Sequence, residues 1–399
     1  MTHPSPTVPA PLTKPPRTRC LALEPKGPTA VRALGVFAAA RLTGLLAVTA
    51  VAHATGQDTF RLLGRSWDSR WYTGIAAHGY GRTLYFEPTV VQSDLAFFPL
   101  YPGLIRAVTT VTPLSHGAAG LLVSWLAAGA AALGIYAVAT RLYDRRTATV
   151  LVLLWGLMPH SVILSMAYTE PVLTALAAWS LYALLTGRWL WAGTLAALAG
   201  LARPNGFAVA AAVLVAAVCE IVRRRGRGVP HRLWTGALLA PLGWGAYVLW
   251  VGARKGDVLG GYFAVQRGWG SRFDFGAGSL AFVKHLLLDG DKLVFSMTLV
   301  IVAVAVLLYA LLVAERAPLP LLVSTGVLLL ITVGGSGFFE SKPRFLLPAF
   351  PLLIPLACAL LRTARARPRA AYPPFPVACC RPPAAGRLFS RAAAWPCGR

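Results

Sequence analysis

Apolar positions along this chain run in unbroken blocks of roughly twenty residues, the length a helix needs to cross a bilayer core. They do not alternate every second residue as in a membrane barrel. The blocks predict helical spans at 31–54, 118–140, 148–166, 171–186, 189–202, 207–222, 233–252, 293–314, 318–334 and 345–361. The two spans beginning at Pro171 and Trp189 are short and are expected to tilt or to sit in a thinner region. Between the first two spans lies a long polar segment, 55–117, with one amphipathic stretch at 97–111. Ala52-His53-Ala54 resembles a signal-peptide cleavage site, but the preceding apolar stretch is too long and carries Arg41, which favours an uncleaved first helix. The expected fold class is therefore an all-α polytopic membrane protein with about ten transmembrane helices and a long first extracytoplasmic loop.

Composition agrees. Hydrophobic residues make up 56% and charged residues 13% of the 399, and the mean hydropathy is +0.61. A soluble domain carries about 25% charged residues, so a soluble enzyme is excluded. The formal net charge is +24. In a membrane chain much of it is topology, because basic residues collect on cytoplasmic loops; no nucleic-acid partner is implied. Arg outnumbers Lys 32 to 6 and Asn205 is the only asparagine, which is the bias of a GC-rich genome. The basic loops at Arg141, Arg145 and Arg146, at Arg188, at 223–232 and at Arg316 fall on one side if every span is real. That places both termini in the cytoplasm of a multi-pass plasma-membrane protein. Ten of the fourteen acids, among them Asp68, Asp94, Glu170 and Glu340, then fall on the outer side.

Three regions are expected. Residues 1–30, rich in Pro, Thr and Arg, read as a disordered cytoplasmic arm. Residues 31–362 form the transmembrane domain, with 55–117 as its first outer loop. Residues 363–399 hold seven Arg, seven Pro, three Cys and no acid, without helix period. The preferred reading of that stretch is an out-of-frame or mispredicted gene end; a disordered basic tail on anionic lipid is the alternative. None of the six cysteines has the C-x-x-C spacing of a zinc or redox site, so neither metal nor disulfide framework is expected.

Four outer clusters could carry chemistry. Trp67-Asp68 follows the first span, and His78-Gly79-Tyr80 and Asp94 follow in the same loop. Asp68 can serve as a base or merely cap a helix, and His78 can be structural. Tyr168-Thr169-Glu170-Pro171 can be a polar site or a helix first turn. Arg203-Pro204-Asn205-Gly206 can hold a phosphate bidentately or anchor at headgroups. Glu340 to Arg344 brings Lys342 and Arg344 beside an acid, or is a solvated loop. Arg41, inside a span, needs a partner: an outer acid, a lipid phosphate, or a carbonyl or acid in the bundle. Convergence on one face is what gives these clusters weight, since a lipid-phosphate transferase needs acids for proton abstraction and cations for a phosphate.

Taken in order, Trp67-Asp68, Ile75, His78-Gly79-Tyr80, Ala96-Phe97-Phe98-Pro99, Pro102, Tyr168-Thr169-Glu170 and Arg203-Pro204-Asn205-Gly206 resemble the PIG-V type of mannosyltransferase. These are relatives of GPI mannosyltransferase II with a GT-C membrane fold. The resemblance covers 31–222 and is looser through Pro343-Arg344-Phe345. Two departures stand out: the stretch 81–92 is longer, and Asp94 stands where a polar residue, often Asn, is expected. The resemblance implies transfer of a mannosyl group from a polyprenyl-phosphate sugar to an extracytoplasmic glycan, lipid or protein acceptor, by a single inverting displacement. It implies Asp68 as base, and Arg203 and Arg344, with Lys342, on the departing phosphate. Tyr168, Glu170 and Asn205 would hold the sugar or phosphate, with Trp67, His78 and Asp94 as further substrate contacts. No cofactor is implied beyond the lipid-phosphate donor, and no divalent metal. The rival readings are a flippase of lipid-linked sugars, although no internal repeat is evident, and a GT-C transferase for another sugar.

Overall fold

The computed structural model describes residues 27–87, 90–289 and 293–370. The expected arm up to residue 26 and the tail beyond 370 lie outside the described residues. By internal packing the chain divides into a unit of residues 1–359, which holds everything considered below, and a unit of residues 360–399.

The architecture is helical. In order come α1 (Gly27–Ala54), α2 (Thr59–Gly64), α3 (Asp68–His78), a hairpin of β1 (Thr83–Glu87) and β2 (Val90–Ser93), α4 (Leu100–Val111), α5 (His116–Leu142), α6 (Arg145–Gly156), α7 (Glu170–Leu185) and α8 (Trp189–Ala202). There follow α9 (Phe207–Arg223), α10 (His231–Leu239), α11 (Leu242–Arg254), α12 (Gly261–Gly268), β3 (Arg272–Phe273), α13 (Ala277–Asp289), α14 (Leu293–Ala314), α15 (Leu319–Gly334), β4 (Gly335–Ser336), α16 (Lys342–Phe345) and α17 (Ile354–Ala370). The last helix runs to Ala370, so the first residues of the expected aperiodic tail are helical.

Five helical stretches are long and apolar enough to cross a membrane: Ala30–Ala54, His116–Leu142, Pro204–Arg223, His231–Arg254 and Leu293–Ala314. A sixth arises if Phe339–Phe345 and Phe350–Ala364, bent by 79°, form one span. The expected ten are not all present as full-length spans among the described residues, and the reasons are local. Residues 148–166 do not make one helix: α6 stops at Gly156, Pro159 follows, and Ser161–Ser165 forms a separate 3-10 turn. Helices α7 and α8 have 16 and 14 residues, about 24 and 21 Å at 1.5 Å per residue, short of a core about 30 Å thick.

These short helices pack at close range because their contact faces are small. Ala131 and Ala132 of α5 and Ala177 and Ala178 of α7 are buried. A Cβ placed on Gly134 of α5 would lie 2.9 Å from the Ala178 Cβ. Close backbone approach of this kind is how helices associate where lipid removes the hydrophobic drive. The same logic joins α8 to α10, where Gly193 faces the Gly236 carbonyl. Aromatic residues lock the remaining contacts. Trp155 of α6 stacks on Phe37 of α1 at 5.2 Å between ring centroids, and its indole N–H donates to the Leu347 carbonyl at 3.0 Å.

The up-and-down path returns particular helix ends to one place. The segment before α7 reaches α2 through Ala167 N–H to the Leu63 carbonyl at 2.9 Å. The Thr169 hydroxyl donates to the Ala202 carbonyl, which ends α8, at 3.3 Å. Loop residues entering α3 and α7, leaving α8 and following α15 thereby become neighbours.

Candidate functional site

Asp68 opens α3, directly after Trp67, whose backbone has φ 48° and ψ −120°. Its carboxylate does not serve as a cap. Oδ2 accepts a hydrogen bond from Arg344 Nη1 at 2.7 Å, and both side chains are 17% exposed. Arg344 comes from α16, which follows a turn entered through Phe338 at φ 43°. The Asp68 amide donates to the Tyr168 hydroxyl at 3.4 Å. The Arg344 guanidinium lies 5.7 Å from the centre of the Tyr168 ring and 5.4 Å from that of Phe345.

A second ion pair sits behind the first. Glu170, in the first turn of α7, pairs with Arg203 at the end of α8, and both are buried. Arg344 Nε stands 3.9 Å from Glu170 Oε1, which joins the two pairs into one cluster. Glu170 Oε2 is buried with no hydrogen-bond partner among the described residues. Burial of Arg203 rules out a headgroup anchor. Charges this far from water persist only when paired.

The scaffold behind the cluster is specific. The Ser124 hydroxyl donates to the Tyr168 carbonyl at 2.8 Å and lies 2.7 Å from the Tyr101 hydroxyl, which fixes the backbone just before Glu170. Arg41 resolves to a bundle role. Its guanidinium donates to the Gly156 carbonyl at 2.9 Å, to Ser161 at 2.6 Å and to Ser165 at 2.9 Å. It therefore ties α1 to the loop carrying His160. Burial, with Arg344 adding to it, holds His160 below its ordinary 6.5. Burial pulls the Arg203 guanidinium down, but Glu170 and Tyr72 return it above its usual value. Burial raises the Tyr72 phenol well above its ordinary range; Arg203 opposes this and Asp68 and Glu170 reinforce it.

Of the residues expected from sequence, the fold brings Asp68, Tyr168, Glu170, Arg203 and Arg344 together. Asn205 is buried in the turn after Arg203, just ahead of α9. Four others lie elsewhere. The Trp67 side chain is 66% exposed. His78 and Asp94 line a separate cavity beside the hairpin. Asp94 Oδ2 accepts from the amides of Gly81 and Arg82, both at 2.8 Å, and so closes the base of the hairpin that makes 81–92 long.

Lys342 is 3% exposed and gives its protons to Ser279 at 2.7 Å, the Thr332 carbonyl at 2.7 Å and the Gly335 carbonyl at 2.6 Å. An ammonium has three donors, so none is spare for a phosphate. Lys342 seats α16 on α13 and α15, and the expected phosphate contact is corrected to that role. Two residues near the cluster went unremarked in sequence. Tyr72 follows Asp68 by one helical turn, a spacing that could have shown it. His160 carries no local signal, because Arg344, whose charge acts on it, is 184 residues away in the chain. Among the described residues no group of three or more His, Cys, Asp or Glu gathers at one point that could hold a metal.

The model of one protein family, dolichyl-phosphate-mannose-protein mannosyltransferase, matches residues 98–247. That stretch contains Tyr168, Glu170, Arg203 and Asn205; Asp68 and Arg344 lie outside it. No curated protein matches. Among solved structures the chain is similar to the apo oligosaccharyltransferase of Archaeoglobus fulgidus, at 13% identity and a TM-score of 0.46. That likeness covers 85% of this chain and 52% of the other, so the chain spans about half the length of that relative.

Proposed function

We propose that this chain is a membrane glycosyltransferase of the GT-C kind, close to the PIG-V type. It moves a mannosyl group from a polyprenyl-phosphate donor to an acceptor on the outer side of the plasma membrane. The observation that carries the reading is the Asp68–Arg344 contact standing against the buried Glu170–Arg203 pair. Base and cations for one displacement are thus within a few ångströms of one another. Supporting it are the matched mannosyltransferase family over 98–247 and five helices fit to hold the site in a membrane.

Asp68 Oδ2 is engaged by Arg344, and Oδ1 takes the proton of the acceptor hydroxyl. The acceptor oxygen bonds to the anomeric carbon as the carbon–phosphate oxygen bond breaks on the opposite face. The electron pair leaves on the polyprenyl phosphate, and the configuration inverts. Arg344, with Arg203 behind it, meets the charge that develops on the departing phosphate. Glu170 keeps Arg203 in place, and Tyr168 and Asn205 border the sugar.

The test is transfer from radiolabelled polyprenyl-phosphate mannose in membranes, comparing wild type with Asp68→Asn. Transfer by wild type alone supports the reading. Equal transfer by both removes Asp68 as base. Failure of both, with labelled lipid crossing the bilayer, turns the assignment to a flippase.

A further inference from the structure

Toward the far end of α3 lies a cavity of about 280 Å³. Arg70, Trp71, Gly74 and His78 of α3 form one wall, and Arg82 and Asp94 from the base of the hairpin form the other. Two observations mark it as built rather than incidental. Asp94 is 1% exposed, and while Oδ2 is used by the hairpin amides, Oδ1 is buried with no hydrogen-bond partner among the described residues. A buried carboxylate oxygen without a donor is costly, so the site calls for a donating group. Gly74 is the second. It sits inside a helix, where glycine costs stability relative to alanine, yet a Cβ there would meet nothing within 4 Å. Packing does not require this glycine; what its missing side chain leaves is open space in the cavity.

We infer that this cavity binds one sugar ring of a glycan acceptor, with a ring hydroxyl donating to Asp94 Oδ1. The assignment rests on the transferase reading and names the acceptor class for it. A neutral polyol fits where an anion does not, because the free Asp94 oxygen repels a phosphate even with Arg70 and Arg82 on the rim. Arg70, Arg82 and His78 present donors to ring and hydroxyl oxygens. The placement also suits the chemistry. Along α3 the wall residues lie two to ten positions beyond Asp68, about 3–15 Å at 1.5 Å per residue. A ring seated there can extend a hydroxyl to the Asp68 carboxylate.

The experiment is saturation-transfer NMR on the full chain in detergent, with the methyl glycosides of mannose, glucose, galactose and N-acetylglucosamine. At least one is expected to give signal with wild type, reduced about tenfold or more by Gly74→Leu, which fills the cavity. His78→Ala, at an exposed rim position, is expected to weaken the same signal several-fold and guards against misfolding of the leucine variant. No signal from any glycoside, or equal signal from wild type and both variants, overturns the inference. Displacement of the glycoside by inorganic phosphate would mark an anion site and overturn it as well. Mannosyl transfer is measured separately. Transfer with an empty cavity defeats this inference and leaves the transferase reading standing; binding without transfer does the reverse.

Discussion

Asp68 and Arg344 are 276 residues apart in the chain and 2.7 Å apart in space. The carboxylate at the start of α3 and the guanidinium of α16 meet only because the helices between them return to one end of the bundle. The contact therefore depends on the whole helical scaffold rather than on the first loop alone.

Asp68→Asn preserves shape and removes the carboxylate proposed as the base. Since a positioned base contributes about 10²–10⁴-fold, kcat for mannosyl transfer should fall by about that factor while the thermal midpoint stays close to wild type. Retention of more than half the wild-type kcat would rule out the proton-accepting role.

Breaking the buried pair is a stability matter. Removing one partner of a buried ion pair costs about 3–5 kcal/mol, and Glu170 and Arg203 are both buried. Glu170→Gln and Arg203→Met should each lower unfolding free energy in detergent by about that amount. The double variant should lose less than the sum, because it leaves no lone charge. Additive losses would show that the two side chains act independently.

His160 predicts a pH dependence. Its folded pKa lies below the ordinary 6.5 through burial and the nearby Arg344. As pH falls through 6.5 the unfolded chain takes up a proton that the folded chain resists. The unfolded state then binds more protons, and stability declines toward acid. Thermal midpoints recorded from pH 7.5 down to 5 should drop less steeply in His160→Gln than in wild type. Identical slopes would assign the decline to other groups.

Gly74→Ala should part stability from function. With nothing within 4 Å of the new Cβ, the helix gains about 0.5–1 kcal/mol, seen as a higher unfolding midpoint. The same methyl group intrudes on the cavity and should raise KM for acceptor. A gain in stability with unchanged KM would separate the cavity from catalysis.

Much of this could be read in the residues, for identifiable reasons. The long apolar runs stand out, and α1, α5, α9 and α14 lie where periodicity puts them. Residues 148–166 misled because Leu157 and Met158 keep the run apolar up to Pro159, past the point where α6 has stopped. The short α7 and α8 read as spans because hydropathy registers Ala and Leu alike, while their role is close packing against one another. Within the site, Asp68, Glu170, Arg203 and Arg344 are legible because each is an ionisable group flanking an apolar run. Lys342 is of the same type and yet turns away from them. Its partners include two backbone carbonyls, and carbonyls leave no mark in a sequence.

Trp67 and Phe338, at φ 48° and 43°, each stand shortly ahead of the helix that delivers one half of the Asp68–Arg344 contact. Such backbone geometry in a bulky residue costs on the order of 1–3 kcal/mol and lasts only while its surroundings enforce it. Both approaches to this ion pair are thus held under tension by the bundle. Gentle heating or harsh detergent should consequently part Asp68 from Arg344 well before the helices melt.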